Sequence, residues 1–376
     1  MQNVAQAWLI YRLTESSFML GLAAFCGLVP VLLFSLLGGV LADHINRRHL
    51  LIVAHSAGLI QALLLGYLTL SGLIMPWHIL VFSTVLGIIH AFEMPARHSF
   101  LSDMVTREDL ANAIALNASA FNIARFIGPS LAGVLIGIWD EGVVFIINAA
   151  SFVAVLIAFL AMRMNSVVVN QGSTENAFKK IQQGLHFVWK NRQIRFSLML
   201  LSVFSIVGTA LTVLMPVFTR ETFHGHSEVL GLLLGAAGGG ALIGALLLAY
   251  HASFKNLPRQ IGSAGLMAGI CLSLFPLVND LNVALLVMAM FGFCQTILAA
   301  STNTLIQSLV SDTLRGRVMS VFSMVFIGFM PVGSISSGYI AEHLGVDITV
   351  HSFGVISIIV AAVYLFRTRL WRARVA

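Results

Sequence analysis

The sequence predicts an all-α polytopic membrane protein, on three observations. The first is composition: 58% of the 376 residues are hydrophobic and only 10% are charged, against about 25% charged in an ordinary soluble chain. No soluble fold hides that much apolar side chain, so part of the solvent is lipid. The second is run length. Apolar stretches of the roughly 20 residues that a helix needs to cross the hydrocarbon core recur along most of the chain. The third is uniformity. Strands of a transmembrane barrel alternate apolar and polar residues over about ten positions, and these runs do not alternate.

Taken in order, a short first span runs to Leu13. Spans two to six follow at 18–42, 49–72, 77–99, 111–138 and 143–162. After a polar segment come spans seven to twelve, at 196–219, 229–251, 261–278, 282–308, 318–341 and 349–366. The polar segment, 164–195, divides the chain near its middle. Within it Phe178, Ile181, Leu185 and Trp189 recur at helical spacing among Lys179, Lys180 and Lys190, which predicts an amphipathic helix on the lipid surface. The expected organisation is a six-helix bundle at 1–163, a linker at 164–195 and a second six-helix bundle at 196–376.

Lysine and arginine set the orientation, because cytoplasmic connections carry them in excess. Of the 21 such residues, 18 fall in one set of connections, from Arg47 and Arg48 through Arg97, Lys190 and Arg195 to Arg315, Arg317 and the C-terminal arginines. The alternate set holds only Arg12 and Arg220, and Arg125 lies within a span. The first set, and with it both ends of the chain, is expected in the cytoplasm. The net charge of +6 is therefore a topology signal, and no nucleic-acid partner is expected. Cys26, Cys271 and Cys294 all lie in apolar runs, with no metal-ligand spacing and no disulfide framework. The sequence has no phosphate-binding glycine loop with lysine and no nucleophile constellation. No metal, no cofactor and no catalytic residue is expected.

Two stretches repeat. SSFMLGLAAFCGLVPVLL from Ser16 aligns with HSEVLGLLLGAAGGGALI from His226, placing Gly21 on Gly231. SDMVTREDLANA from Ser102 aligns with QSLVSDTLRGRV from Gln307, carrying Gly128 onto Gly333 and Gly133 onto Gly338. Repeated halves are a common plan for secondary transporters. The same offset puts the counterpart of the start of span seven ahead of Met1, so the first span is expected to lack about its first half.

GVLADHINRR, residues 39–48, resembles the loop signature of the major facilitator superfamily, with His44 and Asn46 standing where arginine and glycine are usual. Asn46 is expected to preserve a left-handed turn. The blocks at 3–22, 92–105, 110–117, 121–133 and 314–322 resemble the enterobactin-exporter-like, transmembrane secretion effector branch. This resemblance implies a twelve-helix fold of two pseudo-symmetric bundles and a bacterial cytoplasmic membrane location. It also implies that the loop is a cytoplasmic latch: Gly39, Asp43, Arg47, Arg48 and Arg97 facing Asp312, Arg315 and Arg317 at the start of span eleven. Asp43 would meet a helix N-terminus, a contact of about 0.3–1 kcal/mol that suits a switch. GPSLAG, residues 128–133, resembles the family's antiporter signature in span five through Gly128, Pro129 and Gly133, and implies export.

Ionisable residues within spans are functional candidates. Glu93 is the one carboxylate placed clearly inside a span and is the proton-coupling candidate; alternatively it forms a permanent ion pair with Arg97, four residues on. Arg125, near mid-membrane in span five, needs acceptors and is expected at the central cavity with Asn122; alternatively it is satisfied by helix carbonyls of other spans. His55, His90, Gln61, Asn148, Gln295 and Asn303 could also line a cavity, or bond between helices. Together these features predict a monomeric secondary transporter that exports a small amphipathic organic molecule, drug-like or siderophore-like, against protons. A proton-coupled importer of the same fold is the alternative, and a membrane enzyme or scaffold a more distant one.

Overall fold

The computed structural model describes residues 1–106, 108–162, 177–250 and 256–373. The basic residues Arg107, Arg163, Lys255 and Arg374, and linker positions 164–176, lie outside the described residues, as do the side chains of Asp43, Asp312 and 177–181. Among the described residues every regular element is helical. The N-terminal set is α1 (Gln2–Thr14), α2 (Ser17–His44), α3 (Arg47–Leu70), α4 (Pro76–Met104), α5 (Leu110–Ile138) and α6 (Glu141–Ala161). Then come α7 (Ala177–Lys190), α8 (Arg192–Glu221), α9 (Ser227–Tyr250), α10 (Leu257–Leu274), α11 (Leu281–Leu309), α12 (Asp312–Gly328), α13 (Met330–Leu344) and α14 (Val346–Ala373). Among the described residues eleven segments are long and apolar enough to cross a membrane, with α12 and α13 counted together.

The boundaries have local causes. Ser16, Asp140, Asn191 and Asp280 cap α2, α6, α8 and α11 by accepting a backbone N–H of the first turn, which satisfies a donor the helix itself leaves open. The expected single span at 318–341 is broken at Phe329, between α12 and α13. Pro331, in the first turn of α13, has no N–H to continue the ladder and its ring clashes with the turn before it. Pro276 likewise turns the end of α10 into the 3-10 turn Phe275–Leu277.

Two bundles result. In the first, α2 packs on α4, and α3 on α4 and α6; in the second, α9 packs on α11, and α10 on α11 and α14. α8 is the most enclosed span. The bundles meet through α2 on α13, α5 on α9, and α1 against α8. The expected amphipathic helix is present as α7, but it is docked on protein. A side chain at Gly184 would lie 2.5 Å from Arg317 O on α12, and Val188 is buried. Leu185 and Trp189 remain exposed on its outer face.

The repeat is written into the bundle contacts. A Cβ on Gly231 would meet Pro129 O at 2.8 Å and Gly133 Cα at 2.9 Å. One on Gly338 would meet Ser17 O at 2.8 Å and Gly21 Cα at 2.9 Å. Gly21 and Gly231 are aligned by the first repeat match, Gly133 and Gly338 by the second. The two matches thus each supply one glycine to each of two symmetry-related crossings, α2–α13 and α5–α9. Only glycine lets two helix backbones approach this closely.

Candidate functional site

A cavity of about 560 Å³ lies between the bundles. It is lined by α1, α2, α4, α8, α9 and the α12–α13 break, including Gln6, Leu20, Ala24, Ser83, His90, Thr212, Pro216, Leu230, Leu234, Phe326, Ile327 and Met330. Its lining obeys the repeat: Gln6 and Pro216, Leu20 and Leu230, and Ala24 and Leu234 are each 210 residues apart. The cavity therefore sits on the pseudo-two-fold axis. Among the described residues no aspartate, glutamate, lysine or arginine lines it, and His90 is the only titratable side chain there.

The cavity is closed at the end of the bundle that carries few basic residues. The two glycine crossings lie there, and polar contacts reinforce them between bundles. Tyr11 donates to Glu221 at 2.6 Å, and Arg220 pairs with Glu15 at 2.9 Å. Ser16 Oγ and Phe18 N both donate to Glu342. Ser227 donates to Gly133 O, and Ser130 to Gly231 O. Tyr11 and Glu221 are also 210 residues apart. Equivalent residues of two halves touch each other only where the symmetry axis passes between them.

At the basic end, Arg47 Nη1 lies 2.7 Å from both carboxylate oxygens of Asp103, joining α3 to α4. Arg48 donates to Phe159 O and Leu160 O at the end of α6. Asn46 does not adopt a left-handed turn. Its φ is −57° and its side chain caps α3 by accepting from Arg48 N. Gly39, a signature position, has open space around it, whereas it is Gly38 that packs against the α4 backbone at Ala91. Arg315 and Arg317 stand at the start of α12, and both are partnered.

Glu93 Oε1 lies 3.1 Å from Arg97 Nε, an ion pair one helical turn long. The contact is poorly aligned, since Arg97 Nε forms no hydrogen bond. Glu93 is absent from the cavity lining, but Met94 and His90 beside it are part of it. Arg125 and Asn122 are also absent from the lining, and Asn122 donates to Ala118 O on its own helix. The backbone of Arg125 packs against Gly238 at the α5–α9 crossing. Of the antiporter-like residues, Gly133 and the Pro129 carbonyl make that crossing, while Gly128 has only the amino group of Met1 near it, at 3.9 Å.

Several polar residues expected at a cavity are committed elsewhere. Gln2 donates to Gln61 at 2.8 Å and accepts from Asn148 at 2.6 Å, a buried network tying α1, α3 and α6. His55 bonds Leu51 O and packs on Phe152 and Phe159. Asn303 bonds Gln307, and Gln295 reaches Gly208 between α11 and α8. What the motifs missed is Gln6 and the Tyr11–Glu221 contact. The signal for both was the repeat offset, applied to residues rather than to segments.

Two related helical bundles around a central cavity, closed at one end, make up a transporter of small molecules. The chain belongs to the transmembrane secretion effector family of the major facilitator superfamily, whose model matches residues 1–375. The staphyloferrin A transporter of Staphylococcus aureus is 26% identical over 364 residues, 96% of this chain and 90% of that protein. The multidrug efflux pump Tap of Mycolicibacterium fortuitum is 24% identical, covering 98% and 91%. Macrolide efflux protein A of Streptococcus pyogenes is 24% identical, covering 92% and 86%. Among solved structures, the nucleoside transporter NupG superposes with a TM-score of 0.72 at 14% identity, over 97% of this chain and 94% of that one. A bacterial homologue of the human lysosomal transporter Spinster, inward-facing and unoccupied, gives 0.67 at 18%, over 98% and 96%.

Proposed function

We propose that this chain is a proton-coupled exporter of small amphipathic organic molecules, drug-like or siderophore-like, that works by alternating access. The observation that carries the reading is the cavity on the pseudo-two-fold axis, closed at one end by backbone-tight glycine crossings between the bundles. Such crossings are made and broken as units when two rigid bodies rock. The excess of arginine and lysine assigns the basic end to the cytoplasm, so the sealed end faces outward and the C-terminal end of the chain faces inward. The membrane is the bacterial cytoplasmic membrane, and the unit that works is the monomer embedded in lipid. Export agrees with the two relatives named for efflux.

In this reading the bundles 1–163 and 196–376 are the moving bodies and 164–195 is their tether. Arg47 and Arg48 brace the inner ends of α3, α4 and α6. The end of α2 that carries Asp43 and the start of α12, with Asp312, Arg315 and Arg317, form a latch that closes when the outer seal parts. Glu93 exchanges its partner Arg97 for a proton during the cycle. Arg125 and Asn122 join the substrate path in another state, because their repeat counterparts, Met330 and Ile327, line the cavity here.

The test uses cells stripped of their own efflux pumps and an amphipathic fluorescent dye. Lower dye accumulation with the protein, restored by a protonophore, is the expected result. Unchanged accumulation with the protein verified in the membrane would count against export of such molecules. Extrusion that survives the protonophore would remove proton coupling.

A further inference from the structure

We propose that the cavity selects uncharged amphipathic molecules bearing a hydrogen-bond-accepting oxygen, that Gln6 donates to this oxygen, and that lipophilic cations are excluded. The proposal deepens the reading above, resting on it only in taking this cavity as the substrate site.

Gln6 lies on α1, is only 6% exposed and lines the cavity. Its Nε2 is buried without any hydrogen-bond partner among the described residues. A buried amide donor left unmatched is costly, so such groups are rare unless a ligand or water completes them. The other buried glutamines of this bundle show the contrast. Gln2 and Gln61, on the neighbouring faces of α1 and α3, are bonded to each other. Gln6, one helical turn from Gln2, lines the cavity, and its amide nitrogen is left unbonded. Thr209 and Thr212, across the cavity on α8, have their hydroxyl protons committed to helix carbonyls. Asn3, Ser83 and His90 also line the cavity, but among the lining residues Gln6 Nε2 is the buried donor left without a partner.

The charge argument is independent. A cation held in a desolvated cavity needs an anion or an aromatic cage. Among the described residues the lining offers no carboxylate, no tryptophan and no tyrosine, and Phe326 is its one phenyl ring. The nearest membrane carboxylate, Glu93, is paired with Arg97 and outside the lining. An anion likewise finds no lysine or arginine there. A volume of about 560 Å³ falls within the usual range for drug-sized ligands, about 300–1,000 Å³.

The experiment measures equilibrium binding of Nile red and Nile blue to the full chain in nanodiscs, with empty nanodiscs subtracted. The dyes share a ring system. Nile red is uncharged and ends in a carbonyl oxygen, whereas Nile blue carries a delocalised cation. The expected result is at least about tenfold tighter binding of Nile red, the scale of one unpaired charge or lost bond to a buried group. Gln6→Met, of similar volume, should weaken Nile red about fivefold and leave Nile blue unchanged, with its thermal unfolding midpoint held near that of the parent. Equal or tighter binding of Nile blue would overturn the proposal, as would an unaltered Nile red affinity in Gln6→Met, or no binding of either dye. The dye comparison on the parent chain stands without the variant. Dye flux in cells separates the two readings. Preferential extrusion of Nile blue would sink this proposal and leave export intact; Nile red binding without flux would do the opposite.

Discussion

Replacing Gly231 by alanine should open the sealed end of the bundle. The new Cβ would lie 2.8 Å from Pro129 O, 2.9 Å from Gly133 Cα and 3.2 Å from Gly133 N. Carbon–carbon contacts settle at about 3.5 Å or more, so α5 and α9 must part by roughly 0.6 Å there. Every one of these neighbours is backbone, so no side chain can rotate away. Overpacking of this kind costs about 1–3 kcal/mol. The cost falls on the sealed state alone, because parted helices have room for a methyl group. The equilibrium should shift towards opening by about five- to 150-fold. The readout is a cysteine at Ala23, which lines the cavity and is buried, in a background lacking Cys26, Cys271 and Cys294. A membrane-impermeant maleimide added outside intact cells should label it faster in Gly231→Ala by that factor. Gly338→Ala should act alike through α2 and α13. Gly39→Ala, at a position with open space, should not. An unchanged labelling rate in a folded, membrane-inserted Gly231→Ala protein would refute the seal.

Three further outcomes are expected. Asp103→Asn removes the partner of Arg47 in a pair whose side chains are 21% and 13% exposed. It should cost about 1–3 kcal/mol, less than a fully buried pair because of that exposure, and appear as a lower unfolding midpoint that a swapped Arg47→Asp, Asp103→Arg pair partly restores. Gln61→Leu strips the acceptor from Gln2 Nε2 inside the α1–α3–α6 network; thermal unfolding in detergent should show a loss of about 1–3 kcal/mol. Glu93→Gln should abolish substrate movement driven by a proton gradient while leaving substrate exchange at equilibrium intact. Retained proton-driven movement in that variant would remove Glu93 from the coupling role.

The architecture was legible because it is dictated by solvent. A helix in lipid must satisfy its own backbone and hide no polar face, so apolar runs mark spans to within a few residues, as at α5, where 111–138 became Leu110–Ile138. The break at Phe329 was less visible, since Pro331 can begin a helix as readily as kink one. Among site residues, motif spacing located Gly133 but promoted Gly39 above Gly38, because a pattern records which residue is usual and not which face of α2 meets α4. The polar candidates show the same limit. Gln61, Asn148 and Gln6 are equally polar in equally apolar runs, yet two are bonded within the bundle and one lines the cavity with its amide nitrogen unbonded. Only packing decides that, and packing follows from the angle each helix presents. The repeat came closest to supplying it, since residues paired by the offset either touch, like Tyr11 and Glu221, or line the cavity together, like Leu20 and Leu230.

The most direct test of the account reconstitutes the purified chain in liposomes loaded with a pH-sensitive dye. An uncharged amphipathic substrate is added to one side with no imposed proton gradient. Proton-coupled export predicts protons moving opposite to the substrate, with a fixed ratio and with loss of the signal in Glu93→Gln. Protons moving with the substrate, or substrate crossing with no proton movement, would contradict it.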